Sequence, residues 1–445
     1  MKPSSRTTLA AAYAVLCVVL GGASAAGILA NLALQLLAAI LLAIVALRER
    51  ERGVPPAERW LWRLAAALAA LILIQLIPLP PSAWTSLPGR NRIVEGFELL
   101  AEPLPWLAVS LTPDGTIRAL VALLPPLALV ALVVPMSARS RGIFLPLIIG
   151  IAFAALLLGL VQIAGSPHSP LYFYAVTNPG HTVGFFANRN HQATLLLMAL
   201  PFVAALATPL LEGGRIREGG GPKIVIIAAL FAMLAGGVLA TASRAGIALL
   251  PMVGGLCVLM VRKDLTGSVP PRWVAVSAIL LVGGMTAVAI SGVVTRDALA
   301  AGPIAQSTRE SIWRNTAREA AAFQPAGSGL GSFLQIYQMQ EDPLDRPDEY
   351  ANHAHNDYLE WLLETGIAGL ALLLAFLAWF SLGVRRVWTE REAALGRAGS
   401  IAIGAVMLHS TVDYPVRTAA ISALCALCLA LMIAPPDQSP EAPPR

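Results

Sequence analysis

Apolar runs of roughly 20 residues, the length that crosses a bilayer, alternate along this chain with short polar connections. Twelve such runs predict twelve spans: 8–26, 28–47, 60–80, 117–135, 142–164, 190–210, 223–241, 245–261, 273–294, 364–384, 398–414 and 418–434. The connections are of two kinds. One kind is basic: Arg48-Glu49-Arg50-Glu51-Arg52, Arg139-Ser140-Arg141, Arg215 to Lys223, Arg262-Lys263, and Arg385-Arg386 through Arg397. Basic loops stay in the cytoplasm, so these lie inside, together with both termini. The other kind, 81–116, 165–189, 242–244, 295–363 and 415–417, then faces outward. The expected fold is all-α: a polytopic membrane protein of about 12 transmembrane helices with one large extracytoplasmic loop containing short helices. A single transmembrane domain covers 1–434, and the Pro-rich tail 435–445 reads as disordered and cytoplasmic.

Two outward segments are long. Residues 81–116 are rich in Pro and Trp, including Trp84 and Trp106, and read as a loop on the interface with Trp at headgroup depth. Residues 295–363 carry their own pattern. Ser307-Thr308-Arg309-Glu310 matches a capping box and predicts a helix over about 308–323 with Ser307 as N-cap. Ile312, Trp313, Ala317, Ala320 and Phe323 form its apolar stripe, so it can rest on a membrane surface. Pro325 ends it. Gly327-Ser328-Gly329-Leu330-Gly331 then reads as a tight, mobile turn, and no Lys-Ser/Thr follows to make it a phosphate loop. An acidic stretch, Glu341 to Glu349, leads into the stretch His353 to Leu370, whose polar knot sits just before a long apolar run.

Composition agrees with the pattern. The 445 residues are 57% hydrophobic and 13% charged, with a mean hydropathy of +0.70. A soluble domain carries roughly 25% charged residues. The net charge of +5 reports cytoplasmic arginine and gives no reason to invoke nucleic acid. The four cysteines all fall in apolar runs; Cys425 and Cys428 read as small packing residues within a span. Lys2, Arg6 and Ala23-Ser24-Ala25 have the parts of a signal peptide. The apolar character resumes at once in 28–47, so a hairpin of two spans is expected.

Candidate chemistry gathers on the outward side. Arg244 sits at a hairpin between two spans, where an arginine costs about 2.5–3.5 kcal/mol to insert and calls for an anionic partner. Arg309 opens the loop helix, and His355 precedes the tenth span. Each has a plainer reading: a snorkelling arginine, a solvated helix charge, a hydrogen-bonded loop histidine. Their convergence on one face favours chemistry. Arginine grips phosphate through a planar fork, and histidine serves as a general base near neutrality. Together they suit displacement of a glycosyl group from a lipid diphosphate, without a nucleotide. His353 makes a His-x-His motif with His355 that could be a metal pair with Asp357, but no further strong ligand is placed nearby.

At these residues the chain resembles a known family. His355-Asn356, nine residues, then Gly366-x-x-Gly369 is similar to the signature of the bacterial O-antigen ligase and O-antigen polymerase superfamily. Ser243-Arg244-x-Gly246, Arg309 to Trp313 and Pro325 to Gly329-x-Gly331 follow in that family's order, so the resemblance centres on a core of 180–375. Gly184 to His191 resembles the family's outer end of span six, with Arg189 where proline is frequent. Arg189 is open between a third phosphate ligand and an interface anchor. The resemblance implies a membrane glycosyltransferase of the GT-C type in the bacterial inner membrane, its site facing the periplasm. It implies an undecaprenyl-diphosphate-linked glycan donor and a glycan or lipid A-core acceptor. It implies that His355 activates the acceptor, that Arg244 and Arg309 bind the diphosphate, and that transfer is inverting and needs no metal or cofactor. His353, Asn356 and Asp357 are supporting residues. A protein O-oligosaccharyltransferase would share the donor chemistry. A transporter of lipid-linked sugars is the alternative from another class, but its polar groups belong near the midplane.

Overall fold

The computed structural model describes residues 3–25, 27–50, 53–212, 215–266, 304–340, 352–390 and 393–435. Its helices are α1 (Pro3–Leu20), α2 (Leu29–Arg48), α3 (Pro56–Gln75), α4 (Asn91–Leu99), α5 (Pro113–Val121), α6 (Leu124–Val133), α7 (Phe144–Ala164), α8 (Arg189–Ala205), α9 (Gly221–Ala240), α10 (Arg244–Thr266), α11 (Ile304–Ala322), α12 (Phe333–Gln340), α13 (Asp357–Thr389), α14 (Ala394–His409) and α15 (Ala419–Met432). Two-residue antiparallel pairs, Pro78–Leu79 with Leu107–Ala108 and Leu211–Glu212 with Arg215–Ile216, are the strands among the described residues. The protein is an all-α polytopic membrane protein. Among the described residues seven helical segments are long and apolar enough to cross a membrane, and three shorter apolar helices join them. These ten coincide with ten of the predicted runs. The run 60–80 forms α3, whose first half carries Glu58, Arg59 and Arg63. The run 273–294, the acidic stretch 341–349 and the tail from 436 lie outside the described residues.

Helix α8 is the axis of the bundle. It is apolar nearly all round, and such a helix must be buried. Every residue from His191 to Ala205 is buried, against α7, α9, α10 and α14. Helices α2 and α9, by contrast, leave most of their apolar surface outward, as lipid-facing helices do. At the end of the bundle with the basic connections, two arginines are structural. Arg141 is 2% exposed and donates to the carbonyls of Val134, Met136 and Ala430. Arg397 is fully buried and donates to Val387 and Glu390. Carbonyls at helix C-termini are the groups that need such donors.

Three local expectations are corrected. Helix α11 starts at Ile304, so Ser307 lies inside it and is not its N-cap. Trp84 is 1% exposed with its indole N–H on Pro105, so it is a core residue; Trp106, 64% exposed, keeps the anchoring role open. The glycine turn 327–331 is pinned, not mobile. Ser328 and Gly329 donate their N–H groups to Leu363 and Glu364, and Leu111 donates to Ser328. Gln75, the last residue of α3, donates to the Glu364 carbonyl and accepts from Leu330 N–H.

That turn docks where α13 is broken. Gly366 has φ 60° and ψ −152°, a region essentially reserved for glycine, which divides α13 into an outer turn and a long spanning helix. A side chain there would sit on the Pro325 carbonyl oxygen. At Gly369 it would overlap Thr365. The Gly-x-x-Gly spacing is thus a packing requirement. Gly366→Ala is expected to lose at least the roughly 1–3 kcal/mol of backbone strain, seen as a lower unfolding temperature in detergent; an unchanged temperature would mean the break is not needed.

Candidate functional site

The polar knot sits where the starts of α8, α10, α13 and α15 meet the end of α14. Asn356 is the N-cap of α13; its side chain accepts from the N–H groups of Tyr358 and Leu359, leaving it a structural part. This cap fixes the residue before it. His355 is held at φ 52°, a left-handed conformation that costs a non-glycine residue about 1–2 kcal/mol. Strain of this kind persists where the surroundings over-determine it, often at working sites.

The surroundings come from the hairpin 410–418 between α14 and α15. Its Asp413 carboxylate lies 3.4 Å from His355 Nδ1. Asp413 is 1% exposed, and neither of its oxygens has a hydrogen-bond partner among the described residues. Burial alone would raise its pKa, but the hydrogen-bonding ring of His355 and the neighbouring His191 and His409 hold it well below the usual carboxylate range. A carboxylate on Nδ1 places the ring proton there and leaves Nε2 with its lone pair. The His355 side chain is 21% exposed, so Nε2 is within reach of a substrate.

The second histidine has a carboxylate of its own. His353 Nδ1 lies 2.8 Å from Glu360 Oε1, and the other Glu360 oxygen accepts from Ala354 N–H at 2.7 Å. Glu360 is in turn 3.3 Å from the Arg417 guanidinium. Arg417 also reaches Asp357 at 3.2 Å and Glu364 at 3.1 Å. Ser410 donates to the remaining Asp357 oxygen, and Glu364 accepts from the N–H groups of Gly331 and Phe333. One guanidinium therefore ties the outer turn of α13, the glycine turn and the α14–α15 hairpin. Burial opposes charge on Arg417, yet the three carboxylates raise its pKa above the ordinary value.

Tyr414 is the centre of the ring cluster. Its ring lies 4.5 Å from that of His353, 4.9 Å from His355 and 5.1 Å from His191. Burial, then the charge of Asp413, pushes its phenol up past the ordinary range. His409, the last residue of α14, shares a hydrogen bond with Thr194 of α8. Behind the knot, Ala354 packs with Ile312, Phe323, Phe333, Ile336 and Leu363 in a small core of its own.

The arginines lie at the same end of the bundle, on other elements. Ser243 accepts from Gly246 N–H and caps α10, so Arg244 is its first residue and exposed. Gly246 lies against Ala193, which sets the start of α10 beside the first turn of α8. Arg189 opens α8, beside the N-cap Asn188, and its N–H is held by Asn178. Arg309 lies in the second turn of α11, which packs on α13. His353, His355 and Asp357 do not converge: they point to Glu360, Asp413 and Arg417 respectively. Among the described residues no group of three or more His, Cys, Asp or Glu could hold a metal ion.

Sequence reasoning missed Asp413, Tyr414 and Arg417, and with them the roles of Glu360 and Glu364. A signal was present. The connection Thr411-Val412-Asp413-Tyr414-Pro415-Val416-Arg417 sets an acid and a base into a very short hairpin between two apolar runs. Residues 228–374 match the family model described as O-antigen ligase. The matched stretch contains Arg244, Arg309, His353 and His355 and ends before the hairpin with Asp413 and Arg417. No curated protein matches the chain.

Proposed function

We propose that this chain, whose residues 228–374 carry an O-antigen ligase domain, transfers or polymerises glycan from an undecaprenyl-diphosphate-linked donor. The acceptor is a hydroxyl, on a glycan or a lipid A core, at the periplasmic face of the bacterial inner membrane. The observation that carries the reading is His355: strained, partly open, and backed by the buried carboxylate of Asp413. Such a pair makes a general base, and a contact of 3.4 Å is one that tightens into a hydrogen bond as the imidazole gains its proton.

In this scheme His355 Nε2 takes the proton of the acceptor hydroxyl. The acceptor oxygen forms its bond to the anomeric carbon as the bond from that carbon to the phosphate oxygen breaks. The diphosphate leaves with the electron pair. Displacement from the opposite side inverts the configuration. Arg244 and Arg309, with Arg189 at the start of α8, receive the departing charge through their guanidinium forks. Asp413 stabilises the imidazolium. The gathering of polar groups at one end of the bundle supports an enzyme over a transporter, whose site belongs near the midplane.

The test is transfer by purified protein in liposomes from a lipid-diphosphate glycan, with no nucleotide added. Transfer is expected, and excess EDTA should leave its rate unchanged, because arginines take the place of the divalent cation. Activity lost in EDTA and restored by Mg²⁺ or Mn²⁺ would overturn the arginine scheme. A requirement for a nucleotide sugar would overturn the donor assignment.

A further inference from the structure

The knot contains more carboxyl groups than its guanidinium could balance if all were ionised. Asp357, Glu360, Glu364 and Asp413 have side chains between 0% and 9% exposed, and Arg417 is the guanidinium bonded to the first three. With four neutral histidines beside them, three negative charges would remain in excess. Buried charge without a partner is so costly that a site takes up protons instead. The contact best placed to hold one is His353 Nδ1 on Glu360 Oε1, at 2.8 Å, the length of a charge-assisted bond. Glu360 is 1% exposed; Ala354 N–H holds its other oxygen and Arg417 shares Oε1 with His353, so it cannot turn away.

Position adds to charge. His353 is 16% exposed, so its Nε2 side is partly open, as that of His355 is. Both imidazoles pack on the same Tyr414 ring. Their ring centroids lie 4.5 Å and 4.9 Å from that of Tyr414, so the two rings are less than about 9.5 Å apart, close enough to serve one glycosidic bond. The charged and titratable groups facing His353 are Glu360 from α13, Arg417 and Tyr414 from the hairpin, and His191 from α8.

We propose that His353 is a second catalytic residue: an imidazolium held by Glu360 that donates its Nε2 proton to the leaving diphosphate oxygen while His355 accepts the proton of the acceptor hydroxyl. The inference rests on the glycan transfer proposed above. The balance is closed. One proton leaves the acceptor for His355, and one leaves His353 for the phosphate oxygen that keeps the electron pair of the broken carbon–oxygen bond. Both rings are partly exposed and return to their starting states through solvent.

The experiment is the pH profile of kcat in liposomes for the wild type, His353→Gln, Glu360→Gln and His355→Ala. The wild type should be bell-shaped, one limb belonging to a base and one to an acid. Gln can still donate an N–H to Glu360, so packing is kept while the transferable proton is lost. His353→Gln should lower kcat by on the order of 10²-fold and abolish the alkaline limb. Glu360→Gln removes the anion that favours the imidazolium, so its alkaline limb should move to lower pH. A His353→Gln profile with the wild-type alkaline limb, whether at full or uniformly reduced rate, would overturn the proposal; a uniform reduction is what a purely structural role predicts. If His353→Gln does not fold, the displacement of the limb in Glu360→Gln decides alone. Inert His355→Ala beside wild-type-like His353→Gln would reject His353 only. An active His355→Ala would reject the base assignment itself.

Discussion

His355→Ala is expected to lose transfer by about 10²–10⁴-fold, the range a positioned general base supplies, while the protein still inserts and unfolds at its normal temperature. The expectation follows from geometry. The imidazole is partly open, and its Nδ1 lies 3.4 Å from a carboxylate that has no hydrogen-bond partner among the described residues. Removing the ring relieves the left-handed backbone at φ 52° only a little, so stability should change less than activity. Asp413→Asn is the companion variant. The amide keeps the shape but no longer fixes the Nδ1 proton or stabilises the imidazolium, so it should cost a comparable factor, on the order of 10²-fold or more. Wild-type rates in His355→Ala would send the search for a base to His353. Wild-type rates in Asp413→Asn would reduce the dyad to a single histidine.

Arg417→Met should destabilise the folded protein by about 3–5 kcal/mol, the cost of stranding buried charge by removing its partner. Asp357, Glu360 and Glu364 would lose their common cation, and all three are at most 9% exposed. The loss should appear as a large drop in unfolding temperature in detergent and as poor accumulation in the membrane. Arg417→Lys keeps the charge, but its single ammonium cannot reach three carboxylates on successive turns of α13, so it should fall between the two. A double variant, Arg417→Met with Glu364→Gln, should recover part of the loss. Wild-type stability in Arg417→Met would mean that the carboxyls are already protonated and that the hub is not an ion network.

The sequence by itself determined the class and most of the architecture. A bilayer admits only closed backbone hydrogen bonding, so a run such as 28–47 or 223–241 has to become a helix wherever it packs. It also pointed to the right loop. His355 and Asn356, with Gly366 and Gly369 beyond, carry the chemistry and geometry that the resemblance rests on, and the structure shows why the glycines are required. What it could not supply is who faces whom. His353, His355 and Asp357 stand together in the chain and suggested a common ligand set, yet the cap at Asn356 and the strained His355 send them to three different partners. Two of those partners, Asp413 and Arg417, come from a hairpin more than fifty residues later. The glycine turn read as mobile from composition, but docking against the break in α13 satisfies its backbone and holds it. Local pattern records how each residue meets solvent or lipid. The pairing of charges across helices depends on packing between distant segments, and only the tertiary structure brings Asp413 to His355 and one arginine to three acids.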